Sequence, residues 1–241
     1  MKKVVFPKMV FKQHYLFGLL FLISWTIGLQ QASAQSIEGK ITISGKQAKK
    51  AMLKDVVVYY EPVNQVKSEA LAEPHEVIMK NKAYHPRVSV VPVGSELKIS
   101  NRDSILHNAF SPSRSNQFDL GLYGKNKEKI HLLNRSGVVR IFCNVHYHMV
   151  AFVLVIETPY YTLTDENGKF NLEGLPPGKG KLFFWHERAN RVVKNITVVA
   201  NGELAANQKI AVDIPITKRR IPVHKTKTGK SYKKKRRRRG Y

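Results

Sequence analysis

Between residues 37 and 214 the periodic segments alternate apolar and polar positions with a period near two. That alternation sends successive side chains to opposite faces of an extended chain and predicts strands. Short β-branched or aromatic runs at 37–43, 56–60, 88–91 and 97–99 each predict one, the last two separated by the turn Pro92-Val93-Gly94-Ser95. The strongest pair is 138–143 and 151–156. In the first, Val139, Ile141 and Cys143 share one face, and Val138, Arg140 and Phe142 the other. The second is apolar at every position, which predicts a strand covered on both sides. A helical turn is expected at 68–76, and the polar stretch 114–129 is expected to be a long surface excursion.

A boundary is expected at 157–159. Beyond it, Asn167-Gly168 lies between the alternating segments 162–166 and 169–172, a hairpin signal because both residue types tolerate positive φ. Gly174-Leu175-Pro176-Pro177-Gly178 marks a further turn, and 182–185, 196–199 and 210–214 predict more strands. The expected architecture is all-β: a β-sandwich over 35–157 and a smaller one over 158–217. A unit this small buries little core and is expected to lean on its neighbour.

Charge changes the picture at the two ends. The 241 residues carry 41 Lys and Arg against 17 acids, a formal net charge of +24. Lys2, Lys3, Lys8 and Lys12 precede an apolar run at 16–27, and Ala32-Ser33-Ala34 fits a small-x-small cleavage motif. Residues 1–34 therefore read as a cleaved signal peptide, with Gln35 first in the mature chain and a periplasm as destination. The apolar run is short of the ~20 residues that span a bilayer. Thirteen basic residues and no acid lie within 218–239, seven of them consecutive. Residues 218–241 are expected to be a disordered polybasic tail, suited to an anionic membrane surface or an acidic partner. Nucleic acid fits the charge of the tail but not the export signal, and is not expected as a partner. Without its ends, the chain is only mildly basic.

Candidate chemistry is confined to one constellation. The sole cysteine lies in Phe142-Cys143-Asn144-Val145-His146-Tyr147-His148-Met149, and upstream stands Asn101-Arg102-Asp103-Ser104-Ile105-Leu106-His107-Asn108. One cysteine excludes an intramolecular disulfide, and a thiol in an oxidising compartment calls for another explanation. Two imidazoles and a thiolate in a plane, with a thioether on the axis, make a blue-copper site. A tight loop between strands 138–143 and 151–156 carries Cys143, His146 and Met149 to one end of the sandwich, and His107 closes the site. Zinc accepts Cys and His but takes Met poorly. No Ser-His-Asp frame, paired-carboxylate frame, phosphate loop or HExxH occurs, so an enzyme is not expected. Asp103 reads as a surface charge, His148 as facing solvent, and His186 with Glu187 as a solvated edge beside a core Trp185.

The C-x2-H-x2-M loop resembles that of the amicyanin-type, short-loop cupredoxins, and Asn101, Asp103, His107 and Asn108 resemble the upstream ligand segment of that family. Thr164-Asp165-x2-Gly168-Lys169-Phe170-x-Leu172-x-Gly174-Leu175-Pro176-x-Gly178 is similar to a carboxypeptidase-regulatory-like β-sandwich. The combination, over roughly 36–215, resembles bacterial exported proteins described as methylamine-utilisation-like or plastocyanin-like. The resemblance implies a Greek-key copper domain binding one ion through His107, Cys143, His146 and Met149. It also implies that Asn108 braces the Cys143 loop. One-electron transfer with an unknown redox protein is the function implied; copper storage or delivery, or a structural binding module, is the alternative.

Overall fold

The computed structural model describes residues 36–114, 116–199, 210–217, 225, 226 and 228–231. The expected signal peptide and most of the expected polybasic tail lie outside them. Among the described residues, no helix is long and apolar enough to cross a membrane.

The described chain is all-β. Its strands are β1 (Ser36–Ser44), β2 (Val57–Pro62), β3 (His75–Lys80), β4 (Ala83–His85), β5 (Val88–Pro92), β6 (Ser95–Asn101), β7 (His107–Ser111) and β8 (Phe118–Tyr123). They continue with β9 (Glu128–Leu133), β10 (Gly137–Phe142), β11 (Val150–Ile156), β12 (Tyr161–Leu163), β13 (Lys169–Glu173), β14 (Gly178–Trp185), β15 (Val192–Val198) and β16 (Ala211–Pro215). Four sheets form, with strand orders β13-β1-β16, β12-β2-β14-β15, β5-β11-β10-β7-β8 and β4-β3-β6-β9.

Three apolar clusters lie between these sheets in succession. Ile37, Ile41, Phe170, Leu172, Val212 and Ile214 meet Val58, Tyr60, Leu182 and Phe184 in the first. Val57, Tyr59, Phe183 and Trp185 meet Phe142, Phe152, Leu154 and Ile156 in the second. Val139, Ile141, Cys143, Ala151, Val153 and Val155 meet Val77, Met79, Leu97 and Ile99 in the third. The sheets are thus four layers, and the inner two are covered on both faces. This is why β11 is apolar throughout and why all seven of its residues are buried. Gly180 in β14 is required by the same packing, since a Cβ there would sit 2.4 Å from the Tyr60 ring.

Strand pairing regroups the chain relative to the expected division at 157/158. β1 pairs with β13 and, in parallel, with β16. β2 pairs with β12 and β14. Residues 36–62, assigned by sequence to the first module, therefore complete the sheets of the second. The strands of 75–156 form the two remaining sheets. The reason is area: β12–β16 alone cannot cover two sheet faces, and β1 with its alternating buried positions supplies the missing wall.

Three local expectations are corrected. Residues 68–76 contain no helical turn, and His75 and Glu76 begin β3, paired with β6. The 114–129 excursion holds β8, buried only at its two ends, Phe118 and Tyr123, and the exposed start of β9, so neither shows a clear strand period in sequence. The Asn167-Gly168 turn, with Gly168 at φ 75°, does not close a two-strand ladder: β12 joins the β2 sheet and β13 the β1 sheet. The turn is held by Asp165 Oδ1, which accepts from the Asn167 and Lys169 N–H groups at 2.8 Å.

His186 is buried rather than a solvated edge, and Glu187 is ion-paired to Arg87 at 2.9 Å. Burial, aided by nearby Arg188 and Arg87, pushes the His186 pKa down to about 4. The folded state holds this imidazole neutral, whereas the unfolded chain protonates it near pH 6.5. Stability is therefore expected to be full above pH 6.5 and to fall by roughly 3 kcal/mol as the pH drops towards 4. Urea unfolding at several pH values checks this, and His186→Gln should flatten the dependence in that window.

Candidate metal centre

The site stands where β10 ends. Cys143 is the first residue past that strand and keeps its alternation, so its side chain enters the third core beside Val139 and Ile141 while Phe142 enters the second. Residues 144–149 then turn back into β11. The turn is closed by Met149 N–H donating to the His146 carbonyl at 3.0 Å and Cys143 N–H donating to the Met149 carbonyl at 3.4 Å. This short bridged loop fixes where Cys143, His146 and Met149 stand. His107 arrives from another part of the sheet as the first residue of β7, paired in register with Tyr123 of β8. β7 also lies beside β10.

The fold brings His107, Cys143 and His146 together, one donor atom of each within 4.8 Å of the others. Cys143 Sγ lies 3.8 Å from His107 Nδ1 and 3.9 Å from His146 Nδ1. His107 and Cys143 are fully buried, while His146 is partly open to solvent. Met149 is buried in the same apolar cluster as Cys143. His148 is exposed, with its ring 6.1 Å from that of His146 and outside the His-Cys-His group. Burial and then the neighbouring His107, Lys82 and His148 hold the His146 pKa below its ordinary value, partly opposed by Asp103. A neutral imidazole with its lone pair available is the form that binds metal.

These residues fit a metal ion. Sulfur and nitrogen bonds of about 2.0–2.3 Å to a common ion span 3.8–3.9 Å when they open at a wide angle. A thiolate, two imidazoles and a thioether make a donor set suited to copper, and the buried Met149 lies in the same loop as Cys143 and His146.

Asn108 ties the two halves of the site. Its Oδ1 accepts from the Asn144 N–H at 3.2 Å, and its amide donates to Asp119 Oδ1 at 2.8 Å and to the Gly121 carbonyl at 3.0 Å. The residue after the cysteine is thereby fastened to β8. Asn101 performs a similar task one layer away, its amide donating to the Ile105 and Tyr123 carbonyls at 2.9 Å each.

Asp103 is not the free surface charge expected from sequence. Its carboxylate lies 2.8 Å from His107 Nε2, and it also accepts from the Asn81 and Lys82 N–H groups at 2.7 and 2.9 Å. Burial opposes its charge, but the bonds from Lys82, His107 and Asn81 outweigh burial and hold the carboxyl below its ordinary value. The spacing Asp103-x3-His107 was the one available signal; the turn supplying the other donors lies some twenty residues upstream and is invisible to local pattern.

No protein-family model matches the chain, and no curated protein matches it. Solved structures with a likeness include a purple cupredoxin from Nitrosopumilus maritimus, 22% identical, covering 34% of this chain and 98% of that one, with a TM-score of 0.31. A copper-containing nitrite reductase from Thermus scotoductus is 20% identical over 48% of this chain and 28% of its own, with a TM-score of 0.34. A reduced variant of amicyanin is 16% identical over 41% of this chain and 99% of its own, with a TM-score of 0.33. Each likeness covers less than half of the present chain.

Proposed function

We propose that the chain is an exported type 1 copper protein that passes single electrons between protein partners and turns over no substrate. The observation that carries this reading is the convergence of His107, Cys143 and His146 donor atoms within 4.8 Å at the rim of a buried sheet pair. Bound copper would supply a one-electron Cu(II)/Cu(I) couple. Cys143, His107, His146 and Met149 would hold it. The chain's part is to keep these groups still. His107 and Cys143 are anchored on β7 and β10, and Met149 is locked by two backbone hydrogen bonds of its own loop. Small rearrangement between oxidation states favours fast electron exchange.

His146 gives the electron its way out, because it is the ligand side chain nearest solvent. Val145 and Tyr147 beside it are 50% and 40% exposed, an apolar rim suited to brief docking over a small interface. Storage or delivery calls for ready metal exchange. The buried positions of Cys143, His107 and Met149 favour retention instead. The polybasic segment after residue 217 would hold the protein near anionic surfaces by screened attraction.

Loading the full chain with copper and recording visible absorption and electron paramagnetic resonance tests the reading. An intense thiolate-to-copper band with narrow hyperfine coupling supports it; colourless or tetragonal copper refutes it. Met149→Leu is expected to retain the colour and raise the reduction potential, since losing a weak axial donor disfavours Cu(II). An unchanged potential in spectroelectrochemical titration would remove Met149 from the ligand set.

A further inference from the structure

Resting on the copper reading above, we propose that Asp103 is a positioning residue that sets the tautomer of His107 and lowers the reduction potential of the site. Four observations converge on it. The side chain is largely withdrawn from solvent, 14% exposed, and its carboxylate lies 2.8 Å from Nε2 of a completely buried imidazole. The other ring nitrogen, Nδ1, faces Cys143 Sγ at 3.8 Å. The carboxylate is itself fixed by two backbone N–H groups, those of Asn81 and Lys82. Its own N–H is fastened to Asn101 Oδ1 at 2.9 Å, and Asn101 is buried.

The chemistry follows from donors and acceptors. An ionised carboxylate can only accept, so the bond requires the proton on Nε2. That leaves the Nδ1 lone pair free and aimed at the thiol side of the site. An anionic acceptor also makes the imidazole a stronger electron donor than a neutral acceptor would, and a stronger donor favours Cu(II) over Cu(I). The acceptor is held in place by the two-residue turn between β3 and β4, whose Asn81 and Lys82 adopt φ of 54° and 57°. Both residues of such a turn take left-handed backbone conformations, which lysine disfavours. The Asp103 carboxylate compensates by taking both of their N–H groups. The turn, the carboxylate and His107 thus form one continuous path from solvent to the ligand set.

The test is Asp103→Asn in the full, copper-loaded chain. The substitution keeps the shape, removes the charge, and offers an amide with one accepting oxygen against three N–H groups. The thiolate band is expected to remain, and the ratio of Cu(II) to Cu(I) affinity to fall by about tenfold. That ratio is a rise of ~59 mV for a one-electron couple. If the residue only braces the 81–82 turn, the apo protein's melting temperature falls and the potential stays unmoved. That outcome overturns the inference while leaving the copper reading intact. A second measurement needs no variant. Nitrogen NMR of the diamagnetic Cu(I) wild type is expected to show His107 protonated on Nε2 and metal-bound through Nδ1, and the reverse assignment overturns the proposal. A wild-type chain that binds copper without any thiolate band overturns both readings together.

Discussion

Cys143→Ser is expected to abolish the thiolate-to-copper absorption entirely. The band needs a thiolate donor, and Cys143 is the single cysteine of the chain. Its Sγ is also the atom shared between the two imidazoles, at 3.8 and 3.9 Å. An alcohol in its place does not ionise near neutral pH, so affinity for copper should fall as well. Burying a hydroxyl among Val139, Ile141 and Ala151 carries a separate cost of about 1–3 kcal/mol if it finds no partner. Cys143→Ala separates the two effects: it should be equally colourless without a buried hydroxyl. Absorption spectra and copper stoichiometry of both variants check the expectation. A blue Cys143→Ser protein would show that the metal, if bound, sits elsewhere.

Phe142→Ala is expected to do the opposite, leaving the spectrum and costing the fold about 3–5 kcal/mol. Although adjacent to the cysteine, Phe142 points through the other face of β10 into the second apolar cluster. There its ring lies 6.0 Å from that of Phe110, among Val150 and Phe152. Removing a fully buried ring leaves a cavity that stiff sheets on both sides cannot collapse. Urea unfolding of the copper-free protein should show a lower midpoint. Copper added to the folded variant should give the wild-type band, because Cys143, His107 and His146 keep their anchors. A variant that loses colour while remaining folded would show that the two faces of β10 are coupled.

Different parts of the molecule were legible in the sequence to different degrees. The 143–149 loop was readable because three chemistry-bearing residues at intervals of three occupy one tight connection between two strong strands; no long-range information was needed. His107 was readable because it opens a strand beside Asn108. Asp103 was not, since its meaning depends on N–H groups of a turn brought near only by the pairing of β3 with β6. His186 was misread because a polar triplet at a strand end looks solvated until the Arg87–Glu187 pair and the Phe152–Trp185 contact, 5.8 Å between centroids, close over that region. Period-two patterns established that β1 and β2 exist but could not name their partners. Both strands find them more than a hundred residues later in the sequence, where hydrophobicity gives no address.

That arrangement has a consequence for how the protein comes into being. Of the strands, β1 and β2 emerge first from any N-to-C process, whether ribosome or export channel, yet their partners β12, β13, β14 and β16 emerge last. In the interval their open edges are available to wrong partners, including the same strands of another copy. The inserted strands β3 to β11 can pair among themselves while the ends wait. Once folded, they hold the ends of the insertion together, Ser68 N–H donating to the Glu157 carbonyl at 2.8 Å, which converts a span of roughly 90 residues into a short bridge and lowers the closure entropy that the outer sheets would otherwise face. The metal-site module is thus an internal clasp between the first two strands and their later partners. Cutting the gene after Glu157 would yield not a free-standing half but a fragment trailing two unmatched strands.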